Sequence, residues 1–288
     1  MSKAVCDVCF RRCHLSEGQT GFCKARVCRD GVVVPAAYGH ITSLALDPIE
    51  KKPLYHFYPG SMIVSAGGYG CNLACPFCQN HSISLSEYDI KTYGELIPDY
   101  DSISPERLAS VCIEQVNRGN IGIAFTYNEP TINYEYIIDT SNLIRESGLK
   151  TVLVTNGSLT SETLDKLLPY VDAMNIDLKS FDEDYYKNVL KGDLETTKGF
   201  IERAAPHCHV EVTTLIIPGE NDSRDEMERL SGWLSGVSDK SDRDIPLHIK
   251  RFFPRSRYSD RVPTPIETIY ELVEVAGKHL RYVHAGNV

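Results

Sequence analysis

From residue 61 onward the chain alternates short apolar runs with longer segments of helical periodicity, and this rhythm restricts the fold more than any other feature. SMIVSA (61–66), NIGIAFTY, KTVLVTNG, AMNIDLKS, HVEVTTLIIPG and PLHIKRFFP read as six strands, and RYVHAGNV as the start of a seventh. Between them, SPERLASVCIEQVNRG, INYEYIIDTSNLIRESG, TSETLDKLLPY, DEDYYKNVLKG, TTKGFIERAAP, SRDEMERLSGWLSG and PIETIYELVEVAGKHL read as helical. Leu108, Cys112 and Val116 repeat at helical spacing behind Ser104 and Pro105, a cap and a first-turn residue. Gly148 closes the next helix, and Gly232 is expected to fray its own. Strands alternating with helices predict a parallel sheet covered by helices. Polar segments follow strand after strand: GGYGCNLAC, YNEP, TNG, DLKS and IPGEND. Functional residues spread over many strand exits favour a barrel, because an open sheet gathers its site at one crossover. The expected fold is α/β: a partial (β/α)6 TIM-like barrel over residues 61–288, behind a cysteine-rich N-terminal extension over residues 1–60. The strand-like ending leaves a further C-terminal part open.

Within the extension, GVVVPAAYG supplies a strand or two. LDPIEKKPLYHFYPG holds prolines too often for a helix and reads as an ordered crossing segment, pinned by its aromatic residues. The 288 residues are 42% hydrophobic, enough for a sizeable core, and the formal charge of -9 argues against a duplex nucleic-acid partner. No run of 18 uncharged apolar residues suggests a membrane span. MSKAVCDVCFRRC lacks the apolar stretch of a signal peptide, so a cytoplasmic location is expected.

Ten cysteines are many for such a chain, and seven fall into two clusters. Without an export signal, and with length enough to fold unstapled, metal binding explains them better than disulfides. Cys28, Cys112 and Cys208 are left as small buried side chains. Cys71, Cys75 and Cys78 lie just beyond the first barrel strand, after Gly67, Gly68 and Gly70, which let the backbone approach a bulky group closely. Three thiolates suit three irons of a [4Fe–4S] cube and leave one iron open. A zinc loop completed by His56, His81 or a distant cysteine is the alternative on spacing alone. Cys6, Cys9, Cys13 and Cys23 offer four thiolates in a short span. Structural zinc and a second iron–sulfur cluster both use that set, and spacing does not choose between them.

CNLACPFC resembles the CX3CXΦC signature of the radical S-adenosylmethionine (radical SAM) superfamily, with Phe77 as its aromatic residue. The resemblance implies a [4Fe–4S] cluster on Cys71, Cys75 and Cys78 and S-adenosylmethionine (SAM) on the fourth iron. It also implies reductive cleavage of SAM to a 5'-deoxyadenosyl radical for hydrogen abstraction, with an electron donor such as flavodoxin or ferredoxin. TYNEP stands where the family has a Gly-Gly-Glu-Pro-like segment, so Asn128 and Glu129 would meet the SAM amino group. Thr155 and Asn156, and Asp177 and Lys179, are similar to segments of glycyl-radical-enzyme activases near the methionyl carboxylate and the ribose. Ile217, in LIIPGEND, would help seat adenine. Along nearly the whole chain, CDVCFRRCHLSEGQTGFCKARV, KKPLYHFYPGS, FTYNEPTI, NIDLKSF and IKRFFPRSR resemble the radical SAM family of the AmmeMemoRadiSam system. That family implies Memo-domain and AMMECR1-domain partner proteins and leaves the substrate open. A glycyl-radical-enzyme activase and a metal-stabilised, non-catalytic adaptor remain the competing readings.

The histidines form no HExxH-like pattern. His56 and His81 lie near family-like segments, whereas His207 and His209 precede strand five at the opposite face. Lys250, Arg251, Arg255 and Arg257 suit either an anionic substrate or a solvated rim, and Tyr127 and Tyr258 suit a pocket wall.

Overall fold

In a computed structural model, which describes residues 3–84 and 102–288, seven parallel strands run through the expected barrel. The extension forms two small antiparallel pairs, β1 (Ala4–Val5) with β2 (His14–Leu15) and β3 (Arg26–Arg29) with β4 (Val32–Pro35). It then contributes β5 (Ser43–Pro48), which pairs antiparallel with β6 (Met62–Gly67). The sheet continues in parallel through β7 (Asn120–Phe125), β8 (Lys150–Thr155), β9 (Ala173–Asp177), β10 (His209–Ile216), β11 (Leu247–Arg251) and β12 (Val283–Gly286). The result is a mixed eight-stranded α/β sheet in the order of a partial barrel, with RYVHAGNV supplying its last strand. Residues 43–48 belong to this sheet, although they lie N-terminal to the expected start of the barrel at residue 61.

Helices follow the strands largely as their periodicity predicts. Ser104 Oγ accepts the Arg107 N–H, and Pro105 opens the helix Pro105–Glu114. The helix Arg224–Ser241 runs through Gly232 without fraying. Its apolar face of Met227, Leu230, Leu234 and Val237 is buried, and that packing outweighs the ~1 kcal/mol that a helical glycine costs. DEDYYKNVLKG is a short helix, Glu183–Tyr185, continued as a π-helical turn over Tyr186–Leu190. None of the helices among the described residues is long and apolar enough to cross a membrane.

Strand parity divides the side chains into two sets. One set, including Val64, Phe125, Leu153, Ile176, Val212 and Ile249, packs outward into the core shared with the helices. The other faces the lumen. On the β6–β9 side the lumen is apolar: Ile63, Ala124, Val152 and Ala173 pack on Ile49, Leu54 and Phe57 of the segment after β5. On the β10–β12 side it is polar, with Glu211, His248 and His284 in place of the branched apolar layers usual in such barrels. The segment LDPIEKKPLYHFYPG thus enters the lumen from below as a strap. Its Pro53 carbonyl accepts from Asn175 at 2.8 Å. The Tyr55 and His56 N–H groups donate to Glu211 at 3.1 and 2.8 Å. His209 and His248 complete the shell of Glu211 at 2.9 and 2.6 Å, and His56 meets His284 Nε2 to Nε2 at 2.8 Å.

Candidate cofactor site

Cys71, Cys75 and Cys78 follow β6 and line one cavity of about 470 Å³ at the strand-exit end. All three are free thiols. Burial, and then the nearby carboxylate of Glu129, raise the Cys71 thiol well above its ordinary pKa. Burial pushes Cys75 up to about 12, against the opposing pull of the Lys179 ammonium. These groups are therefore poised as thiols until a cation draws off their protons. Hydrogen bonds already aim two of them: Leu73 N–H and Asn156 Nδ2 approach Cys71 Sγ at 3.4 and 3.8 Å, and Ser84 Oγ lies 3.3 Å from Cys78 Sγ. Three sulfur donors with no carboxylate or imidazole among them are a soft set that fits an iron–sulfur cluster. Among the described residues, no group of three Cys, His, Asp or Glu is placed to hold a metal ion as it stands.

Glu129 is 2% exposed and ties two strand exits together. Its Oε1 accepts from the Thr131 N–H (3.1 Å), the Thr131 hydroxyl (2.5 Å) and the Thr155 hydroxyl (2.7 Å). Among the described residues its Oε2 accepts from the Asn156 N–H alone, at 2.7 Å, and so retains acceptor capacity. Burial raises its pKa despite these bonds. The Asn128 amide is spent on the backbone of the cysteine loop: Oδ1 accepts from Gly68 N–H at 3.1 Å and Nδ2 donates to the Gly70 carbonyl at 3.0 Å. Asn156 bonds Asn72 at 2.9 Å. Asp177 and Lys179 pair at 2.7 Å, and that pairing, against burial, raises the lysine above its ordinary pKa.

Six of the seven expected cofactor-binding residues thus line the same cavity as the thiols: Asn128, Glu129, Thr155, Asn156, Asp177 and Lys179. Ile217 does not. It is fully buried in the helix-side core, and Leu215 lines the cavity instead. β10 ends at Ile216, and the Ile217 N–H turns to Asn221 Oδ1 at 2.7 Å, which breaks the parity that would have pointed its side chain inward. Tyr127 lines the cavity with a left-handed backbone (φ 74°), and its hydroxyl donates to Asp47 at 3.0 Å. Asp47 also binds Lys51 and Lys52, both at 3.0 Å. Burial would raise its pKa, but the two ammoniums hold it well below the usual range. Asp47, Lys51 and Lys52 belong to the crossing segment read from the sequence, but only the strap's course through the lumen brings them here. Arg257 donates to the Ala74 carbonyl at 2.5 Å and Arg251 to the Thr264 carbonyl at 2.7 Å, so both fix backbone. His56 and His209 belong to the lumen plug, and His81 and Tyr258 are not among the cavity-lining residues. A larger groove, about 850 Å³, runs between Phe10 and Arg203 on the helix side and contains none of the thiols.

The N-terminal cysteines sit directly behind the cysteine loop. Cys6, Cys9 and Cys23 are buried and Cys13 is half-buried. A Cβ built on Gly21 would lie 3.7 Å from Cys23 Sγ and 3.9 Å from Cys13 Sγ. Burial raises the pKa of Cys6 and Cys9 and pushes Cys23 up to about 12, with the neighbouring thiols adding to each shift. Arg11 stacks on Phe22, 3.4 Å from the ring centroid, and donates to the Asn72 carbonyl inside the loop at 2.7 Å. Cys28 lies apart on β3, 3.9 Å from a Glu17 carboxylate oxygen. The Val8 carbonyl and the Phe10 N–H pair with Thr160 and Ser158 after β8. Gly70 (φ 89°) closes the contact, because a Cβ there would lie 2.3 Å from the Cys23 carbonyl oxygen. Gly70→Ala is expected to lower stability by roughly 2–4 kcal/mol, through the left-handed backbone and the clash together. Thermal unfolding measures the loss, and limited proteolysis should find the first 30 residues cut more readily than in the parent.

Residues 66–231 match the radical SAM superfamily. An uncharacterized protein of Methanocaldococcus jannaschii is 42% identical over 290 residues, spanning all of this chain and 82% of its own. A pyruvate formate-lyase-activating enzyme of Clostridium pasteurianum is 23% identical over 58% of this chain and 67% of its own. Among solved structures, Streptococcus suis SuiB bound to S-adenosylmethionine superposes with a TM-score of 0.54 at 12% identity, covering 76% of this chain and 48% of that one; this likeness is one of fold. A three-thiol loop after the first parallel strand of a partial barrel defines the class, and the chain belongs to the radical SAM superfamily.

Proposed function

We propose that this chain is a radical SAM enzyme that binds a [4Fe–4S] cluster through Cys71, Cys75 and Cys78 and cleaves SAM beside it. The observation that carries this reading is the shared cavity, in which three thiols meet Glu129, the Thr155–Asn156 turn and the Asp177–Lys179 pair. When bound there and given one electron by an external reductant, cluster and SAM would supply methionine and a 5'-deoxyadenosyl radical able to take hydrogen from an unreactive C–H bond. The chain's own residues bind and orient. Glu129 Oε2, with acceptor capacity left, takes the SAM ammonium, and Asp177, about one-third exposed beside Lys179, takes a ribose hydroxyl. The strap and the plug around Glu211 close the lumen beneath and keep water from entering that way. Cys6, Cys9, Cys13 and Cys23 hold a second metal centre, zinc or iron–sulfur, that braces the back of the loop. The likeness to a pyruvate formate-lyase-activating enzyme supports hydrogen abstraction from a peptide glycine as one outcome. The AmmeMemoRadiSam-like phrases support Memo-domain and AMMECR1-domain proteins as partners.

Anaerobically reconstituted, reduced protein is expected to release 5'-deoxyadenosine from SAM, measured by chromatography, and the Cys71/Cys75/Cys78 triple alanine variant to fall to background. Equal release by the variant, or an iron-loaded protein that binds no SAM, would reject the reading in favour of an adaptor whose thiols are structural.

A further inference from the structure

Four lysines line the cavity: Lys51, Lys52, Lys179 and Lys250. The first two share Asp47 and the third holds Asp177. Lys250 differs. No carboxylate pairs with it among the described residues, and its Nζ lies 5.6 Å from the centroid of the Tyr55 ring. His248 and His284, the other ionisable side chains facing it from β11 and β12, are both held towards neutrality, chiefly by burial. Burial likewise pushes the Lys250 ammonium below the ordinary lysine pKa, with nothing opposing it. Leaving a partly buried ammonium without a counter-charge is costly, and folded chains usually avoid it by pairing.

The geometry around this side chain is built. Lys250 stands opposite Gly286 in the β11–β12 register. A Cβ on Gly286 would lie 2.3 Å from Lys250 Cδ, 2.8 Å from Cε and 2.7 Å from Nζ. Gly286 has no left-handed φ, so its missing side chain serves space: the lysine stem lies across a bare Cα. Leu215, the Lys250 neighbour on β10, lines the same cavity and supplies apolar surface beside the charge.

We infer that Lys250 is the anchoring residue for a carboxylate of the substrate, and that the chain acts on a small anionic molecule or an acidic group presented to the cavity. This rests on the radical SAM reading above, which places SAM against Glu129, Asp177 and the cysteine loop and leaves the β11 side for the substrate. An ammonium on an apolar stem pairs with a carboxylate as a point charge, and a low-polarity wall strengthens that attraction.

The test uses cluster-loaded protein with SAM bound, and malonate as the probe beside neutral malonamide. Acetylation of each cavity lysine is followed by mass spectrometry. Malonate is expected to slow modification of Lys250 selectively, whereas malonamide leaves it unchanged. In Lys250→Met and Lys250→Gln, malonate binding measured by calorimetry should weaken by about thirtyfold or more, while SAM affinity stays within about twofold. Gly286→Ala, which displaces the lysine stem, should weaken malonate in the same direction. Unprotected Lys250, or unchanged malonate affinity in both Lys250 variants, overturns the inference. So does a parallel loss of SAM affinity, which would assign the lysine to SAM itself. Failure of the radical SAM reading would show separately, as absent SAM binding by the cluster-loaded parent.

Discussion

Glu211→Ala is expected to cost roughly 3–5 kcal/mol of stability. The carboxylate is fully buried and accepts two backbone N–H groups from the strap and one bond each from His209 and His248. Its removal leaves all four donors without an acceptor beneath the cavity. The melting temperature should fall by about 10 °C or more, given the few degrees per kcal/mol usual for domains of this size. The pH dependence follows from the same contacts. Burial would raise the pKa of Glu211, but the His209 and His248 bonds and the two N–H groups bring it down from 4.5 to about 2. The contribution of Glu211 is therefore complete above pH 4.5 and is lost as the pH falls from there towards 2. His248 acts earlier. Burial depresses its pKa below 6.5, so the unfolded chain takes up a proton that the fold resists, and stability starts to decline as the pH drops through 6.5. Thermal unfolding between pH 8 and pH 3 should show both phases in the parent, and the lower one should be reduced in Glu211→Gln. A pH profile in Glu211→Gln identical to that of the parent would remove Glu211 from this role.

Glu129→Gln is expected to weaken SAM binding by about a hundredfold, because a charge-assisted contact is replaced by a neutral one and the Asn156 N–H faces a donor if the new amide is turned that way. The fold pays little by comparison, since the glutamine carbonyl still serves Thr131 and Thr155. Glu129→Ala should lose both, with a drop in melting temperature, because this carboxylate ties the β7 exit to Thr155 and Asn156 at the β8 exit. Calorimetry with SAM separates the two effects. If Glu129→Gln binds SAM as the parent does, the glutamate is a structural tie and the ammonium is held elsewhere.

How much was legible follows from where each interaction lies along the chain. The parallel strands are buried on both faces and appear as apolar runs such as KTVLVT and AMNID, so six could be read as strands and RYVHAGNV as the start of a seventh. β5 was not read as a strand. Its burial is low along most of its length, it ends in proline, and its pairing with β6 comes from the turn of the strap rather than from any pattern of its own. The residues gathered around the thiols were visible through their likeness to radical SAM and activase segments, and because each sits at or just past a strand end, where a barrel's strand exits converge. Ile217 lies one residue beyond the end of β10, and the structure packs its side chain in the helix-side core rather than in the cavity. The plug was legible only as an ordered crossing segment pinned by its aromatic residues, without its partners. Tyr55, Glu211, His248 and His284 lie far apart in sequence, and nothing in their local context distinguishes a lumen-facing histidine from a surface one. Lys250 was visible as part of a basic stretch, but only the structure separates it from Arg251 and Arg257, whose guanidiniums are occupied with carbonyls.

The docking of Val8 and Phe10 onto Ser158 and Thr160 has a consequence during synthesis. Cys6, Cys9, Cys13 and Cys23 leave the ribosome before the barrel strands, and the surface that shelters them is encoded well over a hundred residues later. At translation speeds of about 5–20 residues per second, they wait on the order of ten to thirty seconds as open thiols before β8 exists to cover them. For that interval the nascent chain offers these four thiols, and then the three of the later loop, to whatever metal or oxidant the cell supplies. The order in which its sites are filled is then set by the order of emergence as much as by affinity.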